Sequence, residues 1–317
     1  MTEPLAIITN TMSTGNMQRK TWVEPLLTNE EDIAHFKVDD VAQIPKILCH
    51  CAELGAETIV VNGGDGTADL VFSSLLNHNP YKHLPTLALL PSGKANMTSA
   101  GWGLTGDPED ALRAVLKYRR LGSLSPYAVE RSLVCVHRND ARPPLYGAFF
   151  GAAEVIDGIQ LCRRYIYPLK IPNSLSHITT LAILLWRNFF GQLGDSSIKI
   201  TDDNGLIENG RFFAIVVTTL DKLLLGLKLK PEKIESLPGP LTYLSLRAGA
   251  SVSLRAASSL ITRHIGPGVG RMVRSSKRLT IKLSGAYTLD GELYEAQSGE
   301  ELILDGSKKL RFLQFPK

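Results

Sequence analysis

Short apolar runs alternate with helical patterns over the first third of the chain. Leu5 to Thr9, Thr58 to Val61 and Thr86 to Leu90 are continuous aliphatic runs, and His35 to Val38 is a weaker one. Between them, Val41 to Leu54 and Ala68 to Leu76 carry apolar residues at helical spacing. Pro108 to Lys117 opens with proline and two acids in its first turn, which suits the helix dipole. Strands buried on both faces read as unbroken apolar runs, so helices between such runs predict a parallel sheet covered on both sides.

Beyond about Pro126 the texture changes. Leu133 to Val136, Ile198 to Thr201, Phe212 to Thr218, Leu241 to Leu246 and Leu279 to Leu283 are strand-like, and turn signals such as Asp202-Asp203-Asn204-Gly205 and Asn209-Gly210 punctuate them. That pattern predicts an antiparallel sandwich or barrel. Helical insertions are expected over Ala152 to Arg164, His177 to Phe190, and Val252 to Arg274 with a break at Gly266-Pro267-Gly268. The chain thus divides into an α/β domain over 1–126 and a mainly antiparallel β-sandwich domain over 127–317, whose last strand can return to the first domain.

Composition narrows this picture. The 317 residues are 44% hydrophobic and 21% charged, which excludes a disordered or fibrous chain. Met1 to Asn10 lacks the basic start of a signal peptide, and Thr179 to Trp186 falls far short of the roughly 20 apolar residues of a spanning helix. Four cysteines are too few for a disulfide framework and fit a reducing compartment, so Cys49-His50-Cys51 reads as structural thiols. The expected location is cytoplasmic, peripheral to the inner face of the membrane. From Lys222 to Lys282 twelve Lys/Arg face two acids, a net charge of +10 in a chain whose total is +4. Such a block is a solvated face or a surface for polyanions.

The chemistry starts at Gly63-Gly64-Asp65-Gly66-Thr67, directly after a strand and at the start of a helix. Glycines let the backbone approach a bulky anion, and a helix start offers free N–H groups and a positive dipole end. Thr67 can cap the helix or donate to a phosphate oxygen. Asp65 can hold Mg²⁺ through water, because magnesium dehydrates reluctantly. The next strand repeats this logic: Thr86 to Leu90 runs into Pro91-Ser92-Gly93-Lys94-Ala95-Asn96, where Lys94 can reach a phosphate and Asn96 can cap. Turns at the ends of neighbouring parallel strands form one cleft. Gly101 to Gly106 fits G-x-G-x-x-G but does not follow a strand, so it does not predict a dinucleotide site.

These residues resemble the diacylglycerol kinase catalytic family, lipid kinases related in fold to NAD kinases and phosphofructokinases. Asn10 with Ser13-Thr14-Gly15 resembles the opening Asn-Pro-x-Ser-Gly turn, the pentapeptide at 63–67 matches fully, and Pro91 to Met97 resembles Pro-x-Gly-Thr-x-Asn-Asp. Leu289-Asp290-Gly291-Glu292 resembles a late Asp-Gly-Glu element. The resemblance implies that Gly63, Gly64, Asp65, Gly66 and Thr67 cradle the phosphates of ATP, helped by Asn10, Ser13, Gly93, Lys94 and Asn96. It further implies that Asp290 takes the proton of a lipid hydroxyl in the cleft between the domains, with Glu292 toward nucleotide and metal. On the residues alone, Asp290-Gly291 is equally a hairpin turn, as Asp305-Gly306 is expected to be.

Departures matter here. Lys94 stands where the family has Thr, and Met97 replaces an acid of the magnesium network, for which Asp69 could compensate. Pro238-Gly239-Pro240-Leu241 stands where a second metal element, Asp-Gly-Leu-Leu, is usual. Two other readings stay open, a soluble NAD-type kinase and a non-catalytic lipid- or nucleotide-binding regulator. The partners expected are a lipid with a free hydroxyl and an anionic membrane met through 222–282. A homodimer is open, and no nucleic acid is expected. His177 to Phe190, apolar almost all round, is either a buried helix or a lip that meets lipid.

Overall fold

The computed structural model describes every residue except 1, 2, 20, 167–172, 192–196, 204, 206, 231–238, 267, 269 and 317. The chain forms two compact units, 1–131 with 309–317, and 132–308. Unit 1 runs β1 (Leu5–Asn10), α1 (Thr14–Gln18), α2 (Glu24–Leu27), β2 (Ile33–Val38), α3 (Ile44–Glu53), β3 (Thr58–Gly63), α4 (Asp65–His78), β4 (Thr86–Pro91), α5 (Met97–Trp102), α6 (Pro108–Arg120) and β5 (Ala128–Ser132). Unit 2 starts with β6 (Val134–His137), β7 (Leu145–Gly147), β8 (Phe149–Ala153), α7 (Glu154–Leu161), α8 (Asn173–Phe189), β9 (Ile198–Asp202), β10 (Ile207–Gly210) and β11 (Phe212–Thr218). It continues with β12 (Lys228–Leu229), β13 (Leu241–Arg247), α9 (Ala250–Thr262), β14 (His264–Ile265), β15 (Arg271–Ser276), β16 (Arg278–Leu289) and β17 (Glu292–Asp305). The last strand, β18 (Lys309–Leu313), returns to the sheet of unit 1.

That sheet has the order β2-β1-β3-β4-β18-β5. β1 is parallel to β2 and β3, and β4 is parallel to β3 and β18. The chain steps outward from β1 to β2 and then to β3 on its other side, so β1 and β3 flank the switch point where α/β sheets take their ligands. β1 and β3 are buried along their whole length, as their unbroken apolar runs require. The edge strand β2 is mostly half-buried, which is why its pattern is the weakest. Phe312 of β18 packs edge-on to Phe72 of α4, 5.6 Å between ring centroids, and beside Trp102 of α5. The last strand is thereby tied into this core.

Unit 2 is built on one connected, ten-stranded sheet, β15-β13-β11-β8-β16-β17-β6-β7, with β9 on β16 and β10 on β9. Among the described residues its strand pairings are antiparallel. Phe150, Ile215, Tyr243, Ile281 and Tyr287 lie in its core. Two expectations change. The helix expected to reach Arg274 stops at Thr262, with Arg263 left-handed at φ 55°, and 271–276 is a strand on β13 with Val273 fully buried. Helical spacing alone did not reveal that β13 offered this stretch a partner. Asp305-Gly306 is no hairpin turn, since β17 and β18 lie in different sheets. Asn204, Pro267 and Pro238, on which a turn, a helix break and a metal element were expected, lie outside the described residues. Among the described residues no helix is long and apolar enough to cross a membrane.

Candidate active site

Three loops leave the carboxyl ends of β1, β3 and β4 and interlock. Asn10, the last residue of β1, donates from Nδ2 to Thr67 Oγ1 at 2.8 Å and accepts at Oδ1 from the Met12 N–H at 2.9 Å. Asn16 donates to the carbonyls of both Asn10 (2.8 Å) and Asn62 (3.0 Å), pinning the first loop to the second. Ser92 Oγ donates to Asn62 Oδ1 at 2.5 Å, and the Gly15 N–H donates to the Ser92 carbonyl at 2.9 Å, closing the ring through the third loop. Asn10, Asn16, Asn62, Thr67 and Ser92 are all buried. Buried polar groups this well satisfied hold one arrangement, because each broken bond leaves a desolvated partner behind.

The glycines serve contact distance. A Cβ on Gly93 would stand 2.5 Å from the Gly64 Cα, and one on Gly15 would stand 2.8 Å from the Ser92 carbonyl oxygen. A Cβ on Gly63 would run into the Thr67 side chain at 2.7 Å. Gly64 is the N-cap of α4, and its carbonyl takes the N–H groups of Thr67 and Ala68. The N–H groups of Asp65 and Gly66 precede the first intrahelical bond and head a fourteen-residue helix, an arrangement suited to an anion. Ser13 Oγ, buried beside this ring, has no hydrogen-bond partner among the described residues, an orphan that a ligand oxygen or water would satisfy.

Two side chains act differently from expectation. Thr67 does not cap α4, because it lies inside the helix and accepts from Asn10 instead. Asn96 occupies the N-cap position of α5 at φ 52°, but its side chain turns back into its own loop. Its Oδ1 accepts from the Gly93 N–H at 2.7 Å, and its Nδ2 donates to the carbonyls of Pro91 and Gly93. The cap of α5 comes from Asp65, whose carboxylate accepts from the N–H groups of Met97 (3.1 Å) and Thr98 (3.0 Å). Burial pushes the Asp65 carboxyl above the usual carboxylate range, against the pull of those N–H groups. Asp65, Asn96, Thr98 and the two glycines 63 and 64 line a small, partly open cavity of about 10 Å³. Lys94 is half-buried on the same loop, and Met97 is buried.

These donors do not build a magnesium cage. Among the described residues no three His, Cys, Asp or Glu side chains converge. Both oxygens of Asp65 already accept N–H bonds, and Asp69, one turn further along α4, is buried. An ion that keeps several waters and rides on the phosphates of a nucleotide does not require such a cage.

In unit 2, Leu289 pairs with Glu292 across the β16–β17 hairpin, so Asp290 and Gly291 form its turn with φ 48° and 94°. Two positive φ angles are what a two-residue turn of the right twist demands. The hairpin also aims Asp290 inward. Asp290 is 7% exposed, its Oδ2 accepts from the Ala148 N–H at 2.6 Å, and its own N–H donates to the Phe149 carbonyl at 2.8 Å. Glu292 is exposed instead, 3.5 Å from Arg163, whose guanidinium also donates to the Gly291 carbonyl at 2.8 Å. The two carboxylates of the motif therefore live in different surroundings.

Residues 4–122 match the diacylglycerol kinase catalytic domain. The match covers less than half of the chain. A protein of Serratia proteamaculans (strain 568) named "Probable lipid kinase YegS-like" is 32% identical over 120 residues, 37% of this chain and 38% of its own length. One of the same name from Stenotrophomonas maltophilia (strain K279a) is 32% identical over 86 residues, 27% of this chain and 26% of its own length. The chain thus aligns with well under half the length of these curated relatives. The likeness in three dimensions is longer. The crystal structure of a diacylglycerol kinase from Bacillus anthracis str. Sterne superposes with a TM-score of 0.63 at 16% identity, covering 99% of this chain and 98% of that one. At that identity the likeness establishes the fold, an α/β unit followed by a large antiparallel one. Asn16, Asn62 and Ser92 were not singled out from the sequence. Asn62 and Ser92 carry one signal there, a polar residue at the end of an apolar strand run, and Asn16, inside α1, carries none.

Proposed function

We propose that this chain is an ATP-dependent lipid kinase, moving the γ-phosphoryl group of ATP to the hydroxyl of a lipid. The observation that carries the reading is the interlocked ring of Asn10, Asn16, Asn62, Thr67 and Ser92, set at the switch point of a diacylglycerol kinase catalytic domain. Such a ring fixes the N–H groups at the start of α4 before ligand arrives. In phosphoryl transfer the protein mainly positions reactants and balances charge, so preorganisation of this kind is the expected contribution.

Mg²⁺ enters with the nucleotide as part of the MgATP substrate, and this chain's residues hold the phosphates. Gly64, Asp65 and Gly66 offer backbone N–H groups, and Ser13, Lys94 and the loop of Gly93 and Asn96 flank them. Asp290 accepts the proton of the lipid hydroxyl as its oxygen attacks the γ-phosphorus, and ADP leaves. The Ala148 N–H bond to Oδ2 fixes this carboxylate in direction, as a base that must meet a hydroxyl in one geometry requires.

Transfer of labelled phosphate from ATP to a fractionated lipid extract, followed by identification of the labelled species, tests the activity and names the acceptor. Asp290→Asn is expected to lower transfer about 10²–10⁴-fold with MgATP affinity retained. Unchanged transfer in that variant would remove Asp290 as the base. Tight ATP binding with no labelled lipid in the native chain would point to a regulator instead.

A further inference from the structure

Helix α8 is turned inside out. Leu175, Ile178, Ala182, Trp186 and Phe189 recur at three- and four-residue steps on its outward face, and all are exposed. Phe190 continues the stripe, with Trp186 and Phe190 56% and 58% exposed and their rings 5.0 Å apart. The inward face holds Ser176, Thr180 and Asn188, fully or nearly fully buried, beside Leu184 and Leu185. These polar groups lock the orientation. Asn188 donates to Ser253 Oγ at 2.7 Å and accepts from the Gly249 N–H at 2.9 Å, and Thr180 Oγ1 lies 2.7 Å from Cys162 Sγ. A helix that fixes amides and hydroxyls inward while presenting about 21 Å of apolar face outward is built to meet something apolar.

The charge around it says what. Leu184 and Leu185 share one apolar cluster with Val252 and Ala256 of α9, Leu229 of β12, Ile265 of β14, and Leu223 and Leu227. The segments supplying that cluster, 221–230 and 249–266, carry exposed Lys222, Lys228, Lys230, Arg255 and Arg263 against a single acid, Asp221. Leu254 of α9, 64% exposed, extends the apolar surface. Arg164 stands exposed on the π-helical turn before α8, whereas Arg163 beside it is held by Glu292 and the Gly291 carbonyl. Arg187 is paired with Glu154 and Asp157 and is set aside from this count. An apolar stripe with large aromatics at one end, on a helix packed against cation-rich segments, matches the interface of an anionic bilayer, where rings sit at headgroup depth and Lys/Arg meet lipid charge.

We propose that the outward face of α8, with Trp186, Phe189 and Phe190 as its inserting end, is the surface by which this chain docks on an anionic membrane. The choice of a bilayer over a protein partner rests on the lipid-kinase reading, in which the acceptor resides in lipid. Part of the basic block is therefore carried by segments packed against an apolar inserting element instead of acting alone.

Co-sedimentation of the full chain with vesicles tests this without nucleotide or acceptor, so its outcome is independent of catalysis. Binding to phosphatidylglycerol-rich vesicles and weak binding to pure phosphatidylcholine are expected. Substituting Trp186, Phe189 and Phe190 together by Ser, all at exposed positions, should lower partitioning about ten-fold or more with the thermal midpoint kept. Trp186→Phe, a milder change, should abolish the blue shift of tryptophan emission on vesicle addition while leaving most of the binding. Three results would overturn the proposal. They are equal binding to both vesicle types, unchanged binding of the triple variant, or a dimer in sedimentation velocity that the triple variant dissociates.

Discussion

Gly64 and Gly93 meet backbone to backbone, so closely that a methyl on Gly93 would stand 2.5 Å from the Gly64 Cα. This contact joins the phosphate loop after β3 to the loop after β4. Gly93→Ala must push the loops apart, at a cost of about 1–3 kcal/mol in a well-packed site. Displacing the N–H groups of α4 by that movement is expected to weaken MgATP binding about ten-fold or more, roughly 1.4 kcal/mol per decade. Titration calorimetry checks it. Unchanged affinity would mean that nucleotide does not use this junction.

Thr67 is the acceptor for the buried Asn10 amide at 2.8 Å, not the cap of its helix. Thr67→Ser keeps the hydroxyl and should behave like the native chain. Thr67→Val keeps the shape but leaves the Asn10 Nδ2 donor buried with no acceptor at that position, and should cost about 1–3 kcal/mol in urea unfolding. Equal unfolding midpoints for the Ser and Val variants would show that this bond does not hold the ring together.

Position 147 controls Asp290. A Cβ there would lie 2.4 Å from Asp290 Oδ2 and 2.8 Å from Leu289 Cγ. Gly147→Ala is therefore expected to turn the carboxylate off the Ala148 N–H, lowering phosphoryl transfer about 10²-fold because a misplaced catalytic group loses that much. MgATP affinity should stay as in the native chain, since Gly147 and Asp290 lie in unit 2 and the phosphate loops in unit 1. Loss of both together would mark the change as a folding defect.

Much of this molecule is written locally. Unbroken apolar runs at Leu5, Thr58 and Thr86 announce strands covered on both faces. Glycine-rich turns at their ends announce an anion site, because strand burial and helix-start polarity depend only on neighbours along the chain. The Asp290-Gly291 turn is local too, and its hairpin and its buried carboxylate turned out to be one device. Family likeness at 63–67 and 91–97 added a reaction that spacing by itself did not contain.

Tertiary structure decided the rest, where partners are distant in sequence. No pattern around Asp65 says that its carboxylate caps a helix 32 residues away, or that Ser92 bonds Asn62. Residues 271–276 became a strand because β13 lay beside them, and no periodicity reports a neighbour. The apolar character of His177 to Phe190 was plain in the sequence, but which face would look outward was not. Asn188 and Ser253, far apart in the chain and 2.7 Å apart in space, settled that by taking the inner side, since a buried amide must find its partner wherever the fold provides one.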